Sequence, residues 1–297
     1  MNGERALRIL ICSNGSEGSD RVVRTAALIA GPGAAETTLL GIRERRLDED
    51  ALHEVLLAQQ RVLENSGAKV ELVSAPGEPV EEIVHRAEEG AWDLVAIGAT
   101  RTYRIVKAVR RPVLVVLGEA ERVKRILLSV GDTRRIGTSV EIAGRIARAA
   151  AAHITLVHIV AQPPAMHAGL RRRQSDTASI LKSDPVLAHR LREAQGALAR
   201  LRVESEIRVG HGFVIDEVLA ERRRGEHDLL VVGSVPAGAG FRSYFLGDMT
   251  REILDGADCP VLVVRTGEPI TRRLWKLGGR VTAPLRDAVK PDRKTGG

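Results

Sequence analysis

Short apolar runs alternate along the chain with longer segments of helical period. LRILICS (7–13), DLVAIG (93–98), DLLVVG (228–233) and PVLVVR (260–265) are apolar at nearly every central position. Such runs suit strands covered on both faces; a half-exposed strand would alternate apolar and polar residues. In the first half the pattern predicts strands near 7–13, 36–42, 68–73, 93–98 and 112–117, with helices near 18–30, 48–65, 78–89 and 101–109. In the second it predicts strands near 124–130, 153–160, 202–208, 228–233 and 260–265, with helices near 136–150, 178–200, 214–224 and 249–256. Strand–helix alternation of this kind predicts an α/β fold with a doubly wound parallel sheet.

The pattern is written twice. LRILICSNGSEGSDRVVRTAALIA (7–30) is similar to VKRILLSVGDTRRIGTSVEIAGRIA (123–147). GEPVEEIVHRAEEGAWDLVAIGA (77–99) matches GFVIDEVLAERRRGEHDLLVVGS (212–234), and RRPVLVVLGE (110–119) matches DCPVLVVRTGE (258–268). The blocks keep their order, as a tandem duplication would leave them. The reading is two five-stranded parallel-sheet domains, 1–119 and 120–267, followed by an irregular segment, 268–297. The closing strands, 112–117 and 260–265, are short, apolar and preceded by proline. They are expected at or near the contact between the halves. Each half should bind any ligand beyond the carboxyl ends of its strands, where strand order reverses.

Composition narrows the function classes. The chain has 297 residues, 44% of them hydrophobic but only 2% aromatic. Its cores must therefore be built from Val, Leu, Ile and Ala, and a stacking platform for single-stranded nucleic acid is not expected. The net charge is +7. Residues 266–297 hold eight Lys/Arg against three acids, so five of those charges lie in the last segment. The excess is not spread over a folded face, and nucleic acid is not an expected partner. Two readings of the tail stay open. One is a disordered solubilising segment; the other is weak docking of RRLWKLGGR (272–280) on an acidic protein or lipid surface. No apolar run approaches the length of a membrane span, and no signal peptide is visible, so a cytoplasmic protein is expected.

Catalytic and metal motifs are absent from the sequence. None of the eight histidines falls in a metal spacing. His153 and His158 flank one strand and are read as packing and hydrogen-bonding residues; His211 is read as a loop residue on the ligand side. There is no G-x-S-x-G elbow, no G-x-x-x-x-G-K-[ST] loop and no dinucleotide fingerprint. Cys12 is placed in a core strand. Cys259, before Pro260, is expected partly exposed at a strand entrance. No disulfide framework follows from two distant cysteines.

ILICSNGSE, ITLVHIV (154–160), DLLVVGS and CPVLVVR, in order and twice over, resemble the universal stress protein family. The resemblance covers residues 6–118 and 123–266. It implies tandem domains of the adenine nucleotide alpha hydrolase-like kind, able to pair internally through their closing strands, with a homodimer as a further assembly. Some members bind ATP through a loop reading Gly, two residues, Gly, nine residues, Gly, then Ser or Thr. Glycines there let backbone N–H groups approach phosphate.

Set against that loop, the first half keeps only Gly98 and is 13 residues short. In the second half Gly233 fits the first glycine, Pro236 occupies the second position, and Gly238 serves only with a shifted loop. Gly247 fits the third glycine one residue late, and Asp248 replaces the hydroxyl residue. Asp248 is read as the N-cap of a helix starting at Met249, placing an anion where ATP would bring one. Gly131 and Asp132 stand at the turn matching the adenine-side aspartate; Ile159 and Val232 match positions beside adenine and ribose. The expectation is a non-enzymatic protein of stress response or regulation, acting through unidentified protein partners. It would have no cofactor and a degenerate nucleotide site. The alternative is a sensor binding ATP with Mg²⁺ in the second cleft.

Overall fold

A computed structural model describes residues 6–31, 33, 35–43, 49–100, 102–131, 136–161, 177–234 and 242–265. The first half runs β1 (Leu7–Ser13), α1 (Glu17–Ala30), β2 (Ala35–Arg43), α2 (Glu49–Asn65), β3 (Lys69–Pro76), α3 (Pro79–Glu89), β4 (Leu94–Gly98), α4 (Thr102–Ala108), β5 (Val113–Val116). The second runs β6 (Arg125–Ser129), α5 (Gly137–Ala150), β7 (His153–Ala161), α6 (Thr177–Ser183), α7 (Pro185–Arg200), β8 (Ser205–Gly212), α8 (Val214–Arg224), β9 (Leu229–Ser234), α9 (Arg242–Gly256), β10 (Val261–Arg265). The strands form one ten-stranded sheet in the order β3-β2-β1-β4-β5-β10-β9-β6-β7-β8. Pairing is parallel within each half and antiparallel only between β5 and β10, where Leu114 faces Leu262. Strand order therefore reverses between β1 and β4 and again between β6 and β9. The antiparallel join puts these two switch points at opposite ends of the strands.

The all-apolar strands are explained by cover on both faces. Alternate residues such as Ile9, Leu94, Leu114, Ile126, Leu229 and Leu262 pack under α1, α2, α5, α6 and α7. Their neighbours, among them Leu10, Val95, Val113, Leu127, Leu230 and Val261, pack under α3, α4, α8 and α9. One expected helix, 178–200, is two. Asp184 and Pro185 break it: the residue before proline is driven from helical geometry, and the Asp184 carboxylate accepts from Leu187 N at 2.9 Å to start α7.

The halves meet through more than the β5–β10 ladder. Gly31, at φ +59°, lies so close to α5 that a Cβ there would sit 2.7 Å from the carbonyl oxygen of Ala149. Arg145 of α5 crosses to Asp93 at 2.9 Å, both side chains largely buried. Arg265, the last residue of β10, donates to the carbonyls of Val106, Lys107 and Val109 at the end of α4. A helix end leaves such carbonyls without intrahelical partners, so the second half completes a helix of the first. Burial, followed by the nearby charge of Arg110, lowers the Arg265 pKa.

Candidate functional site

The repeats place the same side chains at the same points of both halves. Asp93 accepts from Arg8 N, and Asp228 accepts from Lys124 N and Arg125 N, at 2.8–2.9 Å. Each carboxylate thus ties the start of its central strand to the neighbouring strand, β4 or β9. Thr38 donates to Glu71, 33 residues on, and Thr155 to Glu206, 51 residues on. The second half is longer by eighteen residues in that connection. Val95 pairs with Val113, eighteen residues on, and Leu230 with Val261, thirty-one on. The β4–β5 connection is therefore thirteen residues shorter than the β9–β10 connection, as the sequence offsets require.

That shortening leaves the first cleft self-contained. Only residues 99–101 separate β4 from α4. Thr102 Oγ1 donates to the Gly98 carbonyl, and a Cβ on Gly98 would lie 3.7 Å from both the Gly18 carbonyl oxygen and Val22. Across the switch point the turn after β1 satisfies its own donors. Gly15 N goes to Ser13 Oγ, Ser16 N and Oγ to Asn14 Oδ1, and Ser19 N to the Ser16 cap. These donors already have acceptors, so they offer little to a phosphate.

The second cleft has its floor at the carboxyl ends of β6, β7 and β9. Ser129 stands in register with both Val232 and Val157, and Val130 N donates to Val157 O at 2.8 Å. His158 Nδ1 donates to the Val130 carbonyl at 2.7 Å and pins the end of β6, which is the hydrogen-bonding role expected of it. Gly131 follows, exposed, with open space where a Cβ would stand. Gly233 is exposed at the end of β9, while Val232 is 3% exposed and faces the core. Ile159 is half-buried; a Cβ on Gly210 would lie 3.2 Å from its Cδ1. Four of the eight expected residues thus lie around one switch point. Asp132 and Gly238 lie outside the described residues, as do 162–176, Pro236 and the tail.

Gly247 and Asp248 are not where the sequence reading put them. α9 begins at Arg242, six residues before Asp248, so Asp248 is inside the helix and is not its N-cap. The helical spacing of Leu246, Thr250, Ile253 and Leu254 extends upstream of Met249. One glycine inside a helix costs only about 1 kcal/mol. Cys259 is a second correction: it is 2% exposed, and burial raises its pKa, as it does for Cys12. Cys259 Sγ faces the Pro260 carbonyl at 3.5 Å, which removes it as an accessible thiol.

His227 was not legible as a special residue. It is 2% exposed, and its Nε2 lies 3.1 Å from Thr155 Oγ1. The Thr155 hydroxyl spends its proton on Glu206, so His227 Nε2 is the donor and Nδ1 holds a lone pair without a partner. Burial lowers the His227 pKa. The unfolded chain then binds the extra proton first, and the stabilisation is lost as pH falls through about 6.5, the unfolded value. Urea midpoints between pH 7.5 and 5.5 should fall, and His227→Gln should flatten that slope. An unchanged slope would assign it to other groups. Among the described residues no group of three or more His, Cys, Asp or Glu is placed to hold a metal ion.

Residues 122–265 match the model of the universal stress protein family. The match covers just under half of the chain. The whole chain is similar in structure to a universal stress protein from Archaeoglobus fulgidus DSM 4304, with a TM-score of 0.65 and 18% identity over 89% of this chain and 100% of that one. A functionally unknown protein from Pseudomonas aeruginosa PAO1 gives 0.62 and 18%, over 90% and 94%. The cytoplasmic domain of a prokaryotic cation chloride cotransporter gives 0.54 and 12%, over 88% and 95%. At these identities the likeness is one of fold, and it extends over both halves. No curated protein matches the chain. The matched residues thus include the second switch point, and the half preceding them repeats the strand order with a shortened loop. No helix among the described residues is long and apolar enough to cross a membrane.

Proposed function

We propose that this chain serves stress response or its regulation through protein contacts, without catalysing a reaction, and that its nucleotide site is degenerate. The observation that carries the reading is the position of Gly247 and Asp248 inside α9. A backbone N–H at the seventh position of a helix is directed to the carbonyl four residues earlier. Only the first four N–H groups are free to meet an anion. The shortened β4–α4 connection, and the turn after β1 whose donors are already used, support the same reading for the first half.

Calorimetric titration of the full chain with Mg-ATP tests it. Saturable binding tighter than about 1 mM, or about −4 kcal/mol, is not expected. Asp248→Ser should create none, because it changes a side chain inside a helix and frees no backbone donor. Micromolar binding by the unaltered chain, weakened by Asp248→Ser, would instead make the second cleft a metal–nucleotide sensor.

A further inference from the structure

The ten-stranded sheet ends in β3 on one side and β8 on the other, and the two edges differ. On β8, side chains occupy outward backbone groups. Val209 N donates to Thr177 Oγ1 at 3.1 Å, the same hydroxyl faces Val209 O, and Gln195 Nε2 donates to Ser205 O at 2.8 Å. Thr177 opens α6, which lies in the longer connection of the second half; among the described residues α2 is the only helix between β2 and β3. On β3, Gly67 O, Lys69 O and Gly77 N all bond on the β2 side. Successive residues of a strand send their N–H and C=O groups to opposite sides, so Val70, Leu72 and Ser74 turn theirs outward. Among the described residues these groups have no hydrogen-bond partner. An apolar side chain flanks the same edge. Gln59 of α2 reaches α1 through Asp20 at 2.6 Å. Leu57, two residues earlier, is therefore on the opposite side of α2, toward β3, and it is exposed.

We propose that β3 is the contact of a two-fold dimer, in which β3 of a second copy pairs with it antiparallel about Leu72. Leu72 then faces Leu72 and Val70 faces Ser74, so the outward groups of all three residues join in about six hydrogen bonds. Neighbouring registers are worse. Centring on Glu71 sets two carboxylates opposite each other. Centring on Val73 sets Val70 against Pro76, which has no N–H. Centring on Val70 calls on Ala68, whose N–H is already held by Leu63 O. An identical strand has the symmetry this edge requires, and the molecule joins its own halves in the same way. β5 and β10 are equivalent strands of the repeat, paired antiparallel about Leu114 and Leu262. A two-fold axis at Leu72 also brings the Leu57 side chains of the two α2 helices toward each other on one face of the sheet. Because β8 is occupied by Thr177 and Gln195, growth stops at two chains; two open edges would give a fibre. The contact does not depend on how the second cleft is used.

Sedimentation velocity of the full chain tests the proposal. At about 100 µM a dimer and no larger species is expected. Ser74→Pro removes an outward N–H and leaves the bonds to β2 in place, a change that an edge strand accepts. It deletes a bond on each side of the axis and should weaken the dimer about thirtyfold. Unchanged circular dichroism confirms that the variant is folded. Where it does not fold, Leu57→Lys decides in its place: the position is exposed on a helix, and two cations facing across the axis should weaken the dimer about tenfold. The proposal is overturned if the unaltered chain stays monomeric at that concentration, or if it forms a series of larger species. It is equally overturned if the folded variant dimerises as tightly as the unaltered chain.

Discussion

Residues 1–120, expressed without the second half, should not stay monomeric. In the intact chain β5 is covered along its edge by β10, with Val113, Leu114 and Val115 opposite Val263, Leu262 and Val261. Without β10 that strand becomes an exposed, wholly apolar edge, a template for pairing with another copy. Two further losses act together with it. Asp93 loses Arg145, and the carbonyls of Val106, Lys107 and Val109 lose the Arg265 guanidinium. Light scattering at about 100 µM should show dimers or larger species. A stable monomer with a cooperative melt would mean that the seam contributes little and that the first half folds by itself.

Gly118→Ala should lower the melting temperature by about 6–10 °C, and Gly33→Ala by only about 2–4 °C. Both glycines have positive φ, +68° and +67°, so an added Cβ strains each backbone by about 1–2 kcal/mol. Their surroundings differ. At Gly33 a Cβ would meet nothing within 4 Å; at Gly118 it would stand 2.6 Å from the carbonyl oxygen of Asp258 across the seam. That oxygen is backbone and cannot swing aside as a long side chain would. Relieving the clash must shift the turn before β10, adding about 1–2 kcal/mol. Equal losses at the two sites would show that only the dihedral matters and that the seam at Gly118 is loose.

Much of the fold was legible because its signals are local. Strands apolar at every position require cover on both faces, and the repeat of DLVAIG as DLLVVG announced equivalent strands. The thirteen-residue deficit survives unchanged in the register of Val95 with Val113 and Leu230 with Val261. Even the break at Asp184–Pro185 stood in the sequence as a helix-stop followed by a cap. The start of α9 was legible in its apolar spacing too, but the glycine at 247 suggested a loop, and that signal was weaker than the helix period it interrupted.

The sequence by itself determined the tandem α/β architecture and the missing loop of the first half, since period and length are properties of the chain. Tertiary structure decided what those features face. Arg265 follows an apolar strand and has no local partner; only the antiparallel join brings it to the end of α4, over 150 residues away. Asp93 and Asp228 recur in the repeats, but their role as anchors for the first strand depends on parallel pairing across each half. His227 ends buried with an unpartnered nitrogen because Thr155 and Glu206 arrive from two other strands. Spacing along the chain sets which residues can share a face, while these contacts depend on where distant strands are placed, and one residue's neighbours in sequence carry no record of that.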